Sequence, residues 1–363
     1  MTNLQIYEFA YSLIRQKLVD SYHNYMPKIP IFEKKNVLVT GGAGFLGSHV
    51  CEALLKEAKV ICMDNLVSGS LQNIDHLLRY PDFVFIKHDV NEPFDLAKWP
   101  ELAKFKVQFQ GLQEIYHLAC PTSPKDFDRY KIETIKANST GMITVMELAA
   151  KWHAKVLFAS SSVVYGPRPK GDSFIAEDAQ GVVNHLSPRA CYDEGKRFAE
   201  TTADTYRAVY GLDVRIARIF RTYGPRQKLG IGEMMPDFVV NALEGKPLEI
   251  YGDKNFRTSL CYMSDLVDGL LKLMNAEHNP GPVNLGSDQD ILLADVAKKI
   301  IELTNSSSQI VFKPRLMFMT ELPLPSIVKA KEDLGWFPIV RLEDGLKDMI
   351  EYARGQKHLL GAK

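Results

Sequence analysis

Long apolar runs are missing from this chain. No hydrophobic stretch among its 363 residues approaches the ~20 that a membrane span requires. Its first residues carry neither an apolar signal core nor a cleavage pattern, so neither insertion nor export is expected. Cysteine is scarce: five residues, Cys51, Cys62, Cys120, Cys191 and Cys261, with no CxxC pair. That usage predicts reduced, mostly buried thiols in a cytoplasmic protein rather than a disulfide framework or a zinc site. The nine histidines never fall at HxxxH or HExxH spacing, so no metal is expected. Charge excess is absent as well, with 44 Lys and Arg against 44 Asp and Glu. This removes the electrostatic footprint of a general nucleic-acid binder but leaves room for a local cationic pocket. There is no internal repeat and no low-complexity tract.

What is present reads as an ordinary globular enzyme-sized chain, 46% hydrophobic and 24% charged, long enough for two domains. Ile6, Phe9, Ala10, Leu13, Ile14 and Leu18 recur at helical spacing, and Pro27 and Pro30 close that segment, so residues 1–33 are expected to form a helical extension. Strand-like runs follow at 36–40, 59–63, 83–87, 114–118, 155–159 and 213–219, separated by helical patterns, notably 45–56, 131–152 and 188–209. Strands alternating with helices predict an α/β fold, a Rossmann-type doubly wound parallel sheet covered on both faces. Residues 34–220 are assigned to this dinucleotide-binding domain. Beyond 220 the rhythm loosens and Pro and Gly become frequent, which suggests a smaller substrate-binding lobe over 221–363, with segments returning to the sheet.

The first chemical motif is Thr40-Gly-Gly-Ala-Gly-Phe-Leu-Gly47. Gly41, Gly44 and Gly47 follow a strand and open a helix. Side chains there would block the turn, the approach of a pyrophosphate or helix–strand packing. The helix start, with Phe45 and Leu46, offers N–H groups to phosphates. Asp64, followed by Asn65, ends the second strand where its carboxylate would accept hydrogen bonds from a ribose diol, and an acid there repels a 2′-phosphate, favouring NAD over NADP. Asp89 and Val90 end the third strand at the level of an adenine.

The second motif joins Ser160-Ser-Ser-Val-Val-Tyr-Gly166 to Cys191-Tyr-Asp-Glu-Gly-Lys196. Tyr192 and Lys196 are four apart, one turn along a single helix face. An ammonium beside a phenol is expected to lower its pKa and make Tyr192 a general base, with Ser161 holding the substrate hydroxyl while a nicotinamide accepts the hydride. A helical Tyr–Lys pair alone is often only a surface pair; the glycine loop and the serine strand make it a candidate site.

With these motifs, the strings Tyr116-His-Leu-Ala-Cys-Pro-Thr-Ser-Pro124, Ile135-Lys-Ala-Asn138, Pro188-Arg-Ala-Cys-Tyr192, Ile219-Phe-Arg-Thr-Tyr-Gly-Pro-Arg226, Cys261-Tyr-Met-Ser-Asp265 and Lys329-Ala-Lys-Glu-Asp-Leu-Gly-Trp336 resemble the extended short-chain dehydrogenase/reductases that act on nucleotide sugars, most of all their UDP-glucuronate decarboxylase branch. The likeness runs over about 36–350. It implies a bound NAD, oxidation at C4 of the sugar, loss of carbon dioxide from the 4-keto-uronate and reduction back at C4. By position it assigns Ser161, Tyr192 and Lys196 to the redox chemistry. Leu118, Ala119, Asn138, Ile219, Tyr192 and Lys196 would line the cofactor, and Pro121, Lys125, Ser162, Arg221, Arg226 and Arg257 the substrate. It also implies a homodimer through the helices flanking the active-site helix. Trp336 is expected to plug the core of the small lobe.

The chain departs from that pattern at telling positions. Val163 stands where the decarboxylases carry a glutamate, and Ser162-Val163 where a 4,6-dehydratase needs an Asp-Glu pair. Thr258 stands where an arginine is expected, with Arg257 one place early. Arg221 replaces an asparagine, and Pro323 and Glu233 replace basic residues. Arg221, Arg226, Arg257, Lys125 and Lys228 are therefore candidates to rebuild an anion site. A 4-epimerase needs no acid at 163, and a 4-dehydrogenase would release NADH; both stay open beside the decarboxylase, as does a cofactor-binding partner module without catalysis.

Overall fold

The computed structural model describes residues 34–122, 129–169, 174–230, 232–316 and 321–359; the expected extension over 1–33 lies outside them. Seven strands form one all-parallel sheet: β1 (Lys35–Thr40), β2 (Ala58–Asp64), β3 (Phe83–Lys87), β4 (Glu114–His117), β5 (Lys155–Ser161), β6 (Val214–Ile219) and β7 (Val283–Leu285). Their order is β7-β6-β5-β4-β1-β2-β3. The strands read as near-continuous apolar runs because both faces are covered, and alternate residues feed two cores. Val37, Val39, Val60 and Cys62 point to one layer; Leu38, Ile61 and Ile115 point to the other. Chain order reverses between β1 and β4, and in such sheets a crevice opens outside the carboxyl ends of the strands there.

Helices α1 (Phe45–Leu54) and, from the second half of the chain, α6 (Met263–Asn275) cover the first face. Helices α2 (Lys131–Asn138), α3 (Thr140–Trp152) and α4 (Ala190–Tyr210) lie on the other side. The pattern expected as one helix over 131–152 is broken at Ser139, whose φ of −116° and ψ of −85° leave the helical region. Asn138 Nδ2 donates to the Thr134 carbonyl and Ser139 Oγ to that of Ile135. Such local side-chain bonds compete with the helical ladder.

The smaller lobe holds α5 (Met234–Leu243), α7 (Leu293–Thr304) and α9 (Leu342–Leu359), packed around Phe238, Leu248, Ile300 and Met349. Two strands, Leu248–Tyr251 and Ile310–Lys313, pair in parallel at its edge. The second half is thus not all lobe: α6, β7 and α8 (Val328–Leu334) return to the sheet. Trp336 differs from expectation. Fully buried, it packs with Leu266, Leu270 and Leu285 in the layer over the sheet, and its Nε1 donates to the Asp265 carbonyl at 2.8 Å. It has a close-fitting seat because Gly269 carries no side chain: a Cβ there would lie 2.9 Å from its ring. All five cysteines are free thiols, three of them buried. Among the described residues no helix is long and apolar enough to cross a membrane.

Candidate active site

A cleft of about 1030 Å³ opens at the carboxyl ends of β1, β2, β4 and β5 and runs on between the sheet and the smaller lobe. It sits at the upper end of the ~300–1,000 Å³ usual for small-molecule sites, room for a long ligand or two side by side. Its floor is the glycine loop. Gly41 has φ +71°, and a Cβ there would lie 2.7 Å from the Ala119 backbone nitrogen. A Cβ at Gly47 would run into the Gly41 carbonyl, whereas one at Gly44 would meet only that oxygen, at 3.1 Å, and otherwise project into open space. Helix α1 begins without a side-chain cap and without an acid in its first turn. Its leading N–H groups at Phe45, Leu46 and Gly47 are therefore left as donors at the positive end of the helix dipole, which suits a diphosphate.

Asp64 ends β2 with its carboxylate accepting the Ala43 N–H at 3.0 Å and the Leu66 N–H at 2.7 Å. Two backbone bonds leave lone pairs for a ribose diol. Burial raises its pKa, and those two bonds oppose the shift. Asp89 accepts from Asn65 Nδ2 at 3.1 Å and from the Asn91 N–H at 2.9 Å. Asn65, Val90, Leu118, Ala119 and Ile219 all line the cleft. Asn138 does not. It lies one layer back, 1% exposed, donating to Cys120 Sγ at 3.2 Å and backed by Gly195. The cradle, the uncapped helix and the acid at the end of β2 fit an NAD-type dinucleotide.

At the far wall, β5 carries Ser160 and Ser161 to the rim and α4 brings Tyr192 and Lys196 against them. Ser161 hydrogen-bonds the Tyr192 phenol and accepts the Val163 N–H at 3.4 Å. Lys196 Nζ donates to the Ala159 carbonyl at 2.8 Å, 4.7 Å from the Phe158 ring centroid and 5.8 Å from that of Tyr192. One turn on, Glu200 accepts from Ser160 Oγ at 2.5 Å and is clasped by Arg218 at 3.0 and 2.8 Å. This tie anchors the strand end that bears Ser161.

The electrostatics differ from the expectation that Lys196 pulls the phenol down. Burial pushes the Tyr192 phenol well up, with Cys120 adding to the shift; the Ser161 bond and Arg189 oppose it. Burial also lowers Lys196. Desolvation dominates because both groups are enclosed, and the ammonium is not among the groups that act on the phenol. Beneath them, burial, with Lys196 adding, drops His117 to about 3, so its neutral Nδ1 shares a 2.7 Å bond with Thr40 Oγ1.

The substrate candidates divide. Pro121, Ser162, Arg221 and Arg226 line the cleft. Arg226 is already matched: its Nη2 meets Glu52 at 2.5 Å and His76 Nε2 at 3.2 Å. Arg257 lies apart from the lining, paired with Asp290 at 2.7 Å. Lys125 lies outside the described residues. Val163, 2% exposed, packs with Tyr192, Cys120, Cys191 and Leu322, an apolar contact where the resemblance expects an acid. Two other departures meet: Arg221 Nη1 donates to Thr258 Oγ1 at 3.2 Å, so a cation absent at 258 reaches that place from 221. Sequence reasoning passed over Arg189 as a site residue, although it stands three places before Tyr192; it lines the cleft and pairs with Asp193 at 3.2 Å.

A parallel sheet reversing at β1/β4, a glycine cradle with an acid at the end of β2, and a Ser–Tyr–Lys group across from it define a dinucleotide-dependent oxidoreductase site of the short-chain type. Residues 37–286 match the NAD dependent epimerase/dehydratase family, and the chain belongs to that family. It is 37% identical over 349 residues to UDP-glucuronic acid decarboxylase 1 of Xenopus tropicalis, covering 94% of this chain and 79% of that protein. To UDP-glucuronic acid decarboxylase 4 of Arabidopsis thaliana it is 40% identical over 328 residues, 89% of this chain and 70% of that one. Among solved structures, UDP-glucuronic acid 4-epimerase from Bacillus cereus, in complex with UDP-glucuronic acid and NAD, superposes with a TM-score of 0.76 at 26% identity, covering 88% of this chain and 99% of that one.

Proposed function

We propose that this enzyme decarboxylates UDP-glucuronate to UDP-xylose through a 4-keto intermediate. The observation that carries the reading is the run of relatives named UDP-glucuronic acid decarboxylase, 37–40% identical over most of the chain. The Ser–Tyr–Lys wall gives it a chemical basis. NAD, when bound, supplies the acceptor for the C4 hydride and gives the same hydride back, so the cycle is redox neutral. Ser161 holds the C4 hydroxyl and Tyr192 takes its proton, while Lys196 supplies positive charge along α4. The 4-keto-uronate is a β-keto acid: its C5–C6 bond breaks, carbon dioxide leaves, and the electron pair stays as an enolate that is protonated at C5. Val163 cannot deliver that proton, which leaves the Ser162 hydroxyl and cleft water as donors. Tyr192 finally returns its proton to the C4 oxygen as the hydride comes back.

In this reading 34–220, with the returning segments, hold the dinucleotide, and the smaller lobe holds the sugar nucleotide. The free thiols agree with a reducing, cytoplasmic setting. Exposed apolar residues on α2, α3 and α4 support a homodimer. One observation favours a second reading: without an acid at 163, a 4-epimerase would turn the keto sugar over and reduce its other face.

Mass spectrometry of products from enzyme, NAD and UDP-glucuronate tests the proposal, with absorbance followed in the NADH band. A product lighter by carbon dioxide is expected, without net NADH. Unchanged mass with inverted C4 would establish the epimerase, and accumulating NADH a dehydrogenase.

A further inference from the structure

We propose that Arg221 is the receptor for an oxyanion of the substrate, seated beside the reacting end of the sugar and setting the enzyme's preference for an acidic sugar. The proposal rests on the sugar-nucleotide reading above and deepens it. Arg221 stands at the mouth of the smaller lobe just beyond β6, lining the cleft with Ser162. Among the described residues its neighbours are a hydroxyl, a thioether and a ring: Thr258 Oγ1 at 3.2 Å, Met234 Sδ at 3.7 Å and the Phe256 centroid at 5.8 Å. None is an anion. Other arginines near the cleft differ, since Arg226 meets Glu52, Arg218 meets Glu200 and Arg189 meets Asp193.

The charges that act on Arg221 are cations. Burial lowers it to about 10, and Arg189 and Arg168 push in the same direction. A guanidinium enclosed among cations is costly unless a ligand brings the counter-charge, and its planar fork matches a two-oxygen anion. Its place indicates which end of the ligand arrives. Arg221 and Ser162 share a small void of about 20 Å³ with Leu322, and Leu322 packs on Val163 and Tyr192. Arg189 acts electrostatically on both Tyr192 and Arg221. The guanidinium therefore lies on the wall next to the redox group, where a carboxylate at C5 would sit when C4 faces Tyr192. A phosphate oxygen has the same chemistry and is the other source to be distinguished.

Calorimetric titration of the NAD-loaded wild type and Arg221→Gln decides it, with UDP-glucuronate, UDP-glucose (no carboxylate) and UDP as probes. The expected result is about 10- to 100-fold weaker UDP-glucuronate binding in R221Q, the ~1.4–2.8 kcal/mol of one charged hydrogen-bonded contact, with UDP-glucose and UDP unchanged. An equal loss for all three would overturn the acidic-sugar role and move the anion contact to the diphosphate. Unaltered affinity for all three overturns the proposal. Melting of the ligand-free protein is a second readout: R221Q should melt no lower than wild type, because a half-buried cation with no carboxylate among its side-chain contacts is removed, and a clear fall would make Arg221 a structural residue. Should the wild type bind no UDP ligand, the decarboxylase reading fails by itself. Thermal shifts with free glucuronate and inorganic phosphate then decide Arg221 alone: a rise in wild type that R221Q loses supports it, and an identical response overturns it.

Discussion

At the scale of single residues, Tyr192 is held between opposing influences. Ser161 and Arg189 favour phenolate, yet burial and Cys120 win, so the phenol is pushed up and stays protonated near neutrality. A general base with a raised pKa works better as pH rises, because its deprotonated fraction grows until the raised value is reached. The enzyme's kcat/KM is therefore expected to climb from neutral into alkaline pH. Tyr192→Phe should cut turnover by about 10²–10⁴, the usual worth of a positioned acid–base group, and flatten that climb while NAD still binds. Product assays across pH, beside NAD titration of the variant, check both. Retained turnover in Y192F would remove Tyr192 from the chemistry. The residues of this group could be read in the chain because spacing alone puts 192 and 196 on one face. The direction of the phenol shift could not, since it depends on how completely α4 and β5 enclose the pair. Arg221 was open to the same limit: its residue type was visible, but its lack of a carboxylate partner is a property of the packed lobe.

At the scale of elements, six of the seven sheet strands read out as short apolar runs, whereas the edge strand β7 (Val283–Leu285), only three residues long, is too short to leave a pattern in the chain. The helix break at Ser139 was hidden, since Asn138 and Ser139 bond to their own preceding turn and leave no mark on apolar periodicity. The place of Trp336 is hidden for a related reason, its seat being made by Gly269, far back along the chain in α6. Contacts between elements also set the acid limit of stability. His49 on α1 bonds the Pro225 carbonyl at 3.1 Å, linking that helix to the loop beyond β6. Burial, with Arg226 next, lowers it from 6.5 to about 4. The unfolded chain thus binds the extra proton first. The contribution is fully present above pH 6.5 and is lost as pH falls from 6.5 towards 4, at most about 3 kcal/mol. His49→Gln keeps a donor for Pro225 but does not titrate. Its stability should change less between pH 7 and 4 than that of wild type, as chemical denaturation at a series of pH values would show. Parallel curves would mean that His49 is not protonated on unfolding in that range; His117, lowered to about 3, would remain as the acid-sensitive group.

At the scale of the whole molecule, the surface carries an unbalanced face. Ile132 and Ile135 on α2, Ile143 on α3, and Phe198, Val209 and Tyr210 on α4 are all exposed, on adjoining helices that cover one side of the sheet. Single exposed apolar residues need no explanation, but a cluster on neighbouring helices does. Pairing such a face with its copy gives a closed two-fold dimer, and a stable interface of this kind buries at least about 1,000 Å² in total. The same helix α4 carries Tyr192 and Lys196, so dimerisation would brace the helix that presents them to the cleft. Wild type should then sediment as a dimer. The double variant Ile135→Glu with Phe198→Glu should sediment as a monomer, because charges facing their copies across the axis repel and cannot be solvated. Ile339→Glu serves as the control: Ile339 is more exposed still, at 73%, but its N–H is bound to Asp265 of α6 on the opposite face of the sheet, so the mass of that variant should not change. A wild-type monomer at micromolar concentration would remove the interface altogether. A dimer untouched by the double substitution would move it to another face, and the bracing of α4 would go with it.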